Sequence, residues 1–420
     1  MTKFNFSDIK FGVKENRFYH NIGDDFACFA LWKSARPFRD KIRKELSEKF
    51  QILLETEIEW SEANFHQNAE RLYEVPMFSE HKGFDGESSH GKKIGDRKFI
   101  LFILKDENPD YTYAKSVSGK NELSNLNFVK AKYKFRDWIQ EDTGNKYGVH
   151  STNNIYEFFY QVPLLLGIDI FKQLLNGETL QIDKLSKDLE GANGWKNWDE
   201  VFEILNITTN YLVLRGFEML PTDNPEKDLD VITDNYQKFA SALGAIQKKK
   251  QPYKGYISVN NESISLDIRF VGDNYYNTAW AKEMLTTKVL HNGVVFVPRL
   301  DQYFFSLLFH AKVQKPAVKE KYYGILENAA KNLKFDWFEL DDLNSNKKSG
   351  VLLKGYFQGE GYFYEDPLDI GVYKNEEVIK QLPKNSDFVN KHPLKKRVKI
   401  MLIKSLPPGV KGIIKKIIKK

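Results

Sequence analysis

Apolar and polar positions along the chain fall into two series of short units. Residues 27–33 (ACFALWK) form an apolar run ending at Lys33, the mark of a buried strand. Residues 38–50 (FRDKIRKELSEKF) repeat apolar positions at helical spacing. Residues 51–60 (QILLETEIEW) predict a second strand, 61–73 a helix and 98–104 (KFILFIL) a third strand. Residues 127–140 read as helical or irregular, 147–151 (YGVHS) as a short strand ending, and 155–166 (IYEFFYQVPLLL) as a helix. The second series predicts a helix over 197–205, strands over 211–217 and 228–233, and a helix over 235–243. A hairpin over 255–270 turns at Asn260-Asn261, and helices follow over 275–285, 300–313 and 318–333. Three polar stretches interrupt the series. Residues 80–97 predict a loop insertion, 181–197 a linker and 342–349 a third soft region. The expected fold class is α+β, with two small mixed-sheet α/β domains over 1–180 and 198–341 and a C-terminal extension over 342–420.

Composition narrows the class. A chain of 420 residues with 31 Phe and 21 Tyr has the material for more than one core and is not globally disordered. Cys28 is the single cysteine, which excludes an internal disulfide and any Cys-based metal site and points to a reducing compartment. No apolar stretch reaches bilayer length, and the first 18 residues carry charges throughout, unlike a signal peptide. The expected location is cytoplasmic.

Charge is unevenly placed. Residues 391–420 hold eleven Lys and Arg and no acid, so against the net charge of +6 the other residues sum to −5. The tail interleaves Ile, Leu, Met and Val with Lys, and Ile413, Ile414, Ile417 and Ile418 share one helical face. That pattern suits an anionic membrane surface, such as the inner membrane face. Nucleic acid is a poorer match, because the body is acidic and the tail has no aromatic residue to stack on bases.

The candidate chemistry lies in the second series. Asp228 and Asp230 stand two apart in the apolar strand DLDVIT, so both side chains project to one side. Asp267, between Leu266 and Ile268, lies on a later strand. Acids among apolar neighbours are costly unless compensated, and Mg²⁺ (or Mn²⁺) compensates hard oxygen ligands. Arg215 and Arg269 stand near enough in sequence to neutralise phosphate.

Leu214-Arg215-Gly216-Phe217, ten further residues, Asp228-Leu229-Asp230 and then Asp267 resemble the nucleotidyltransferase (polymerase-beta-like) superfamily over about 130 residues. The resemblance implies a turn at Gly216 that approaches phosphate, and a metal-binding trio of Asp228, Asp230 and Asp267, with Asp267 assisting deprotonation. The expected partners are a nucleoside triphosphate or nucleotide-linked donor and a small-molecule or glycan acceptor. Phe217 departs from the pattern, which has a second small residue there.

The first series resembles a nucleoside diphosphate kinase, a ferredoxin-like sandwich. Lys33, Arg136 and His150 occupy the places of that family's strand-end Lys, phosphate-binding Arg and nucleophilic His, and Thr152 matches its hydroxyl residue. The resemblance implies phosphoryl transfer through His150, with Lys33 and Arg136 neutralising charge. Tyr147, Ser151, Asn153 and Gln161 depart from the pattern, and Gln161 stands where the family has the Glu that orients its His. Alternatives to a metal-dependent nucleotidyltransferase are therefore a non-catalytic nucleotide-binding scaffold and a His-dependent phosphotransferase.

Overall fold

The computed structural model describes residues 24–78, 89–115, 121–248 and 251–386. The basic tail lies outside them. Among the described residues no helix is long and apolar enough to cross a membrane. The fold is α+β, with mixed sheets, helices and no barrel.

In chain order the first series gives β1 (Asp25–Leu31), α1 (Arg39–Ser47), β2 (Gln51–Glu59), α2 (Phe65–Leu72), β3 (Met77–Phe78), α3 (Ser89–Ile94) and β4 (Lys98–Asp106). There follow the paired strands β5 (Tyr111–Lys115) and β6 (Asn121–Asn125), α4 (Leu126–Thr143), β7 (Val149–Ser151), α5 (Ile155–Leu166), α6 (Ile168–Leu175) and β8 (Lys184–Ser186). The sheet order is β7-β1-β4-β2-β8, antiparallel except for the β2–β8 pair. Every residue of β1 is buried because helices cover both faces. Ala27, Phe29 and Leu31 pack with Ile42 and Leu46 of α1 and Phe128 and Phe135 of α4. The alternate residues face α5, where Phe26 meets Phe158 at 5.7 Å and the Cys28 thiol donates to Gln161. An unbroken apolar run is what such two-sided burial requires.

The stretch 181–197, expected as a linker, is folded. β8 pairs with β2, Trp195 is buried, and Asp188 accepts from Ser61 N and from the Nδ2 groups of Asn64 and Asn68. Its polar residues satisfy buried polar groups, and that makes its composition resemble a linker's.

The second series gives α7 (Trp198–Thr208), β9 (Tyr211–Arg215), β10 (Asp228–Thr233), α8 (Tyr236–Leu243), β11 (Ile246–Lys248), β12 (Gln251–Val259), β13 (Glu262–Phe270), α9 (Thr278–Thr287), β14 (Val289–His291) and β15 (Val295–Val297). The order of the second sheet is β3-β11-β12-β13-β10-β9. β10 and β13 run parallel, β9 runs antiparallel to β10, and β12–β13 is a hairpin. Asn260 and Asn261, at φ 51° and 60°, make the turn of that hairpin, as the sequence predicts. β3, the edge strand beside β11, comes from the first series. A second tie between the two series is Arg71 of α2. It is fully buried and donates from Nε to Ser241 O (2.8 Å) and from Nη2 to Ala242 O (2.8 Å) and Glu190 O (2.7 Å).

The described residues divide by compactness into 24–271 with 282–299, and 272–281 with 300–386, not at 181–197. The smaller unit contains α10 (Leu300–Val313), α11 (Glu320–Leu333), α12 (Asn346–Glu360) and α13 (Glu376–Ile379). Its core is aromatic and centres on Trp280, whose ring lies 5.0–5.7 Å from those of Tyr276, Phe309, Tyr356, Phe357 and Tyr362. Residues 342–349, expected as soft, contain the cap and first turn of α12, where the Ser345 hydroxyl accepts from Lys348 N.

Candidate functional site

The three aspartates meet on one face of the second sheet because of strand register. Asp230 is level with Arg215 on β9 and with Asp267 on β13, and Asp267 is level with Lys254 on β12. Four strands thus present a row reading Arg215, Asp230, Asp267, Lys254. Asp228 lies two residues before Asp230 and shares its face. Leu229, Val231, Leu266 and Ile268 point the opposite way and are buried. A bulge between Asp230 and Val231 shifts the pairing with β9, a common device for re-aiming side chains beside a site.

Two like charges level on adjacent strands repel. Here each has a guanidinium. Arg215 Nε lies 2.8 Å from Asp230 Oδ2. Arg269 Nη2 donates to Asp267 Oδ2 at 3.0 Å, while its Nε lies 2.6 Å from Oδ1 but off the line of a hydrogen bond, so Oδ1 has no aligned donor. Arg269 is only 4% exposed and also lies over the Tyr253 ring at 5.2 Å. Among the described residues Asp228 has no such cation at contact distance. Burial, then the charges of Asp230 and Asp267, push its carboxyl up to about 6.

The segment between β9 and β10 frames this face. Gly216 adopts φ 70°, and a Cβ added there would meet nothing within 4 Å. The backbone conformation requires the glycine, and the space above it is open. Phe217, the departure from the family pattern, is 7% exposed and packs on His291 at 5.3 Å. Asn224 donates from Nδ2 to Asp228 O at 3.0 Å, while its Oδ1 is buried without a partner.

The carboxylates of this set are hard oxygen donors of the kind Mg²⁺ or Mn²⁺ takes, and Asp267 Oδ1 lacks an aligned donor. In the arrangement described, arginine supplies the compensating charge, and among the described residues no three His, Cys, Asp or Glu converge closely enough to hold a metal ion.

His150 belongs to a separate cluster. Its Nε2 bonds Gln161 Oε1 at 2.8 Å, and its ring lies 5.1 Å from that of Tyr73 and 6.4 Å from that of Trp32. The Gln161 oxygen also accepts from Cys28, and its amide nitrogen donates to Leu72 O, so the proton of the His150 bond belongs on Nε2. Gln161, a departure from the kinase pattern, thus accepts from His150. Arg136 Nε donates to Val149 O at 2.8 Å, and burial lowers its pKa. Lys33 bonds Ile94 O through its backbone N–H, and its side chain lies beside Gly95. Lys132, one helical turn before Arg136, escapes the sequence reading although its spacing signals it. It is buried and donates to Ser151 O at 3.0 Å and to Asn153 Oδ1. The groups that set the His150 charge state are Lys132, Gln161, Arg136 and His90. Those around Asp228 are Asp230, Asp267, Arg215 and Glu226, and the sets share no member.

Although His150 keeps some exposed surface, desolvation and then the Lys132 charge hold its imidazole well below the ordinary range, at about 3. The unfolded chain binds this proton near pH 6.5 and the folded chain only near 3. The contribution to stability is thus complete above pH 6.5 and is lost as pH falls toward 3. Denaturant titrations at a series of pH values should show His150→Gln losing less stability than wild type across that window. The difference in slope should approach about 1.4 kcal/mol per pH unit. Parallel pH profiles would refute the assignment of a buried neutral imidazole.

No family model matches the chain, and neither a curated protein nor a solved structure matches it.

Proposed function

We propose that the aspartate face of the second sheet is the site of a metal-dependent nucleotidyltransferase. It would take a nucleoside triphosphate or nucleotide-linked donor and transfer a nucleotidyl or substituted phosphoryl group to a hydroxyl or phosphate acceptor. The observation that supports this is the register: Asp230 and Asp267 stand level on parallel strands, with Asp228 on the same face. Asp228, Asp230 and Asp267 would hold the Mg²⁺ or Mn²⁺, which when bound supplies charge neutralisation at the transferring phosphorus and activation of the acceptor oxygen. Arg215 and Arg269 would meet the donor phosphates, and Gly216 leaves room for them. A membrane-bound glycan precursor is the proposed acceptor class, because the basic tail suits an anionic surface.

The test is thermal melting of the full chain with Mn²⁺ and a panel of nucleoside triphosphates. Wild type should gain several degrees with the pair and Asp230→Asn should gain none. Equal gains for wild type and Asp230→Asn would refute the reading.

A second reading, a His-dependent phosphotransferase in the first series, has two observations in its favour. The Gln161 bond fixes the proton on His150 Nε2 and leaves Nδ1 with a lone pair. The sheet order β7-β1-β4-β2 is also that of a ferredoxin-like sandwich. Phosphate on His150 Nδ1, detected by mass spectrometry after incubation with a triphosphate and absent from His150→Gln, would support it over the first.

A further inference from the structure

Lys288 stands between α9 and β14 and packs its amine against β9 and β15. Nζ donates to Asn210 Oδ1 at 2.8 Å and to Tyr211 O at 3.0 Å. It lies 4.1 Å from the centre of the Phe296 ring, which stands edge-to-face with Tyr211. Both acceptors are neutral. The charge that acts on the amine is that of Asp234, which accepts from Asn210 Nδ2 at 2.9 Å and favours the ammonium. Burial acts the other way, outweighs Asp234 and pulls the pKa down to about 7. A neutral amine has two N–H groups and one lone pair. The two oxygens satisfy the N–H groups and leave the lone pair outside the hydrogen bonds. The side chain is only half-buried, and the next residues, Val289 and Leu290, are 44% and 49% exposed, which gives a small electrophile access. Other lysines lack this combination. Lys105, Lys184 and Lys348 bond carboxylates that hold them charged, and Lys132 is buried too deeply to meet a reagent.

We propose that Lys288 is an acyl-acceptor site, whose amine takes a short acyl group from an acyl phosphate. Nζ attacks the carbonyl carbon and forms the N–C bond. The C–O bond to phosphate breaks, phosphate leaves with that electron pair, and the amine proton passes to water. Phe296, Val289 and Leu290 provide apolar neighbours for the acyl group. The product amide keeps one N–H and no charge, so either Asn210 Oδ1 or Tyr211 O loses its donor. Asn210 also accepts at its main-chain oxygen from Thr233 Oγ1, 2.9 Å away. The modification therefore falls where the start of β9 meets the end of β10.

The experiment incubates the full chain with acetyl phosphate between pH 6 and 9 and quantifies each acetylated lysine by peptide mass spectrometry. At pH 7.5 about three-quarters of the Lys288 amine is neutral, against about one part in a thousand of an ordinary lysine. The weaker base is a poorer nucleophile, which takes back part of that gain. Lys288 should label half-maximally near pH 7 and, at pH 7.5, about tenfold faster than the exposed lysines as a group. Asn210→Asp sets a carboxylate against Nζ and should bring Lys288 back to the rate of the exposed lysines, with melting of the unlabelled variant as the check on its fold. Where that variant does not fold, the wild-type profile decides alone. A Lys288 rate that climbs through pH 9 as the exposed lysines do would overturn the site, and so would an unlabelled Lys288 beside labelled exposed lysines.

Discussion

Replacing Arg71 by alanine is expected to cost the larger unit about 3–5 kcal/mol, close to the whole stability of many domains. The guanidinium donates to three main-chain carbonyls, Ser241 O and Ala242 O at the end of α8 and Glu190 O in the folded 181–197 stretch. Ser241 O keeps the Gly244 N–H, but the loss of the donor at Ala242 O and Glu190 O costs roughly 1–3 kcal/mol each, and the volume of the lost side chain adds a cavity. Burial pushes the Arg71 pKa down to about 10, still charged at neutral pH, so all three bonds are charge-assisted. Lysine should not rescue, because one ammonium cannot span the fork of partners. Urea unfolding of wild type, Arg71→Ala and Arg71→Lys decides the matter. A loss below about 1 kcal/mol in the alanine variant would mean that water substitutes for the fork.

Trp280→Ala should cost about 3–5 kcal/mol in the smaller unit. The indole is fully buried among five aromatic rings, and its Nε1 donates to Gln302 Oε1 at 2.5 Å. Removal opens a large cavity in a core whose neighbours are rigid rings and collapse poorly into it. Trp280→Phe separates the two contributions. It keeps most of the packing and loses the donor, while Gln302 Oε1 still accepts from Tyr356. A penalty of about 1–2 kcal/mol is expected for it, and equal melting of the two variants would assign the whole effect to the hydrogen bond.

Much of the fold was legible because its strands are buried on both faces or end in strong turn signals. DLDVIT and LDQYFFSLLFHAKV match β10 and α10 to the residue. The Asn260-Asn261 turn was equally plain. Elements made of polar residues were not. β6 reads as polar loop, and the cap at Ser345 resembles a break because capping residues are also turn residues. The β14–β15 hairpin was overlooked although Asn292-Gly293, at φ 50° and 73°, is a strong hairpin signal.

The candidate site was half legible. Parity alone puts Asp228 and Asp230 on one face, but that Asp267 stands level with Asp230 depends on a crossover through α8, β11 and β12. No local pattern encodes that register. The arginines were expected to serve phosphate; that each also holds an aspartate follows only from the pairing of β9, β10 and β13. Arg71 carried no signal at all, since its three partners are backbone oxygens about 120 or 170 residues away.

The loan of β3 to the second sheet sets where the chain can be divided. β11 has three residues and is flanked on one side by β12 and on the other by β3. A fragment starting at residue 198 would lack β3, and β11 would become a bare edge whose N–H and C=O groups can recruit a foreign strand. It would also lack Arg71, the donor to the end of α8. The two series are therefore inseparable as heritable parts: a recombination event that moved the aspartate-bearing half alone would pass on a sheet without its border.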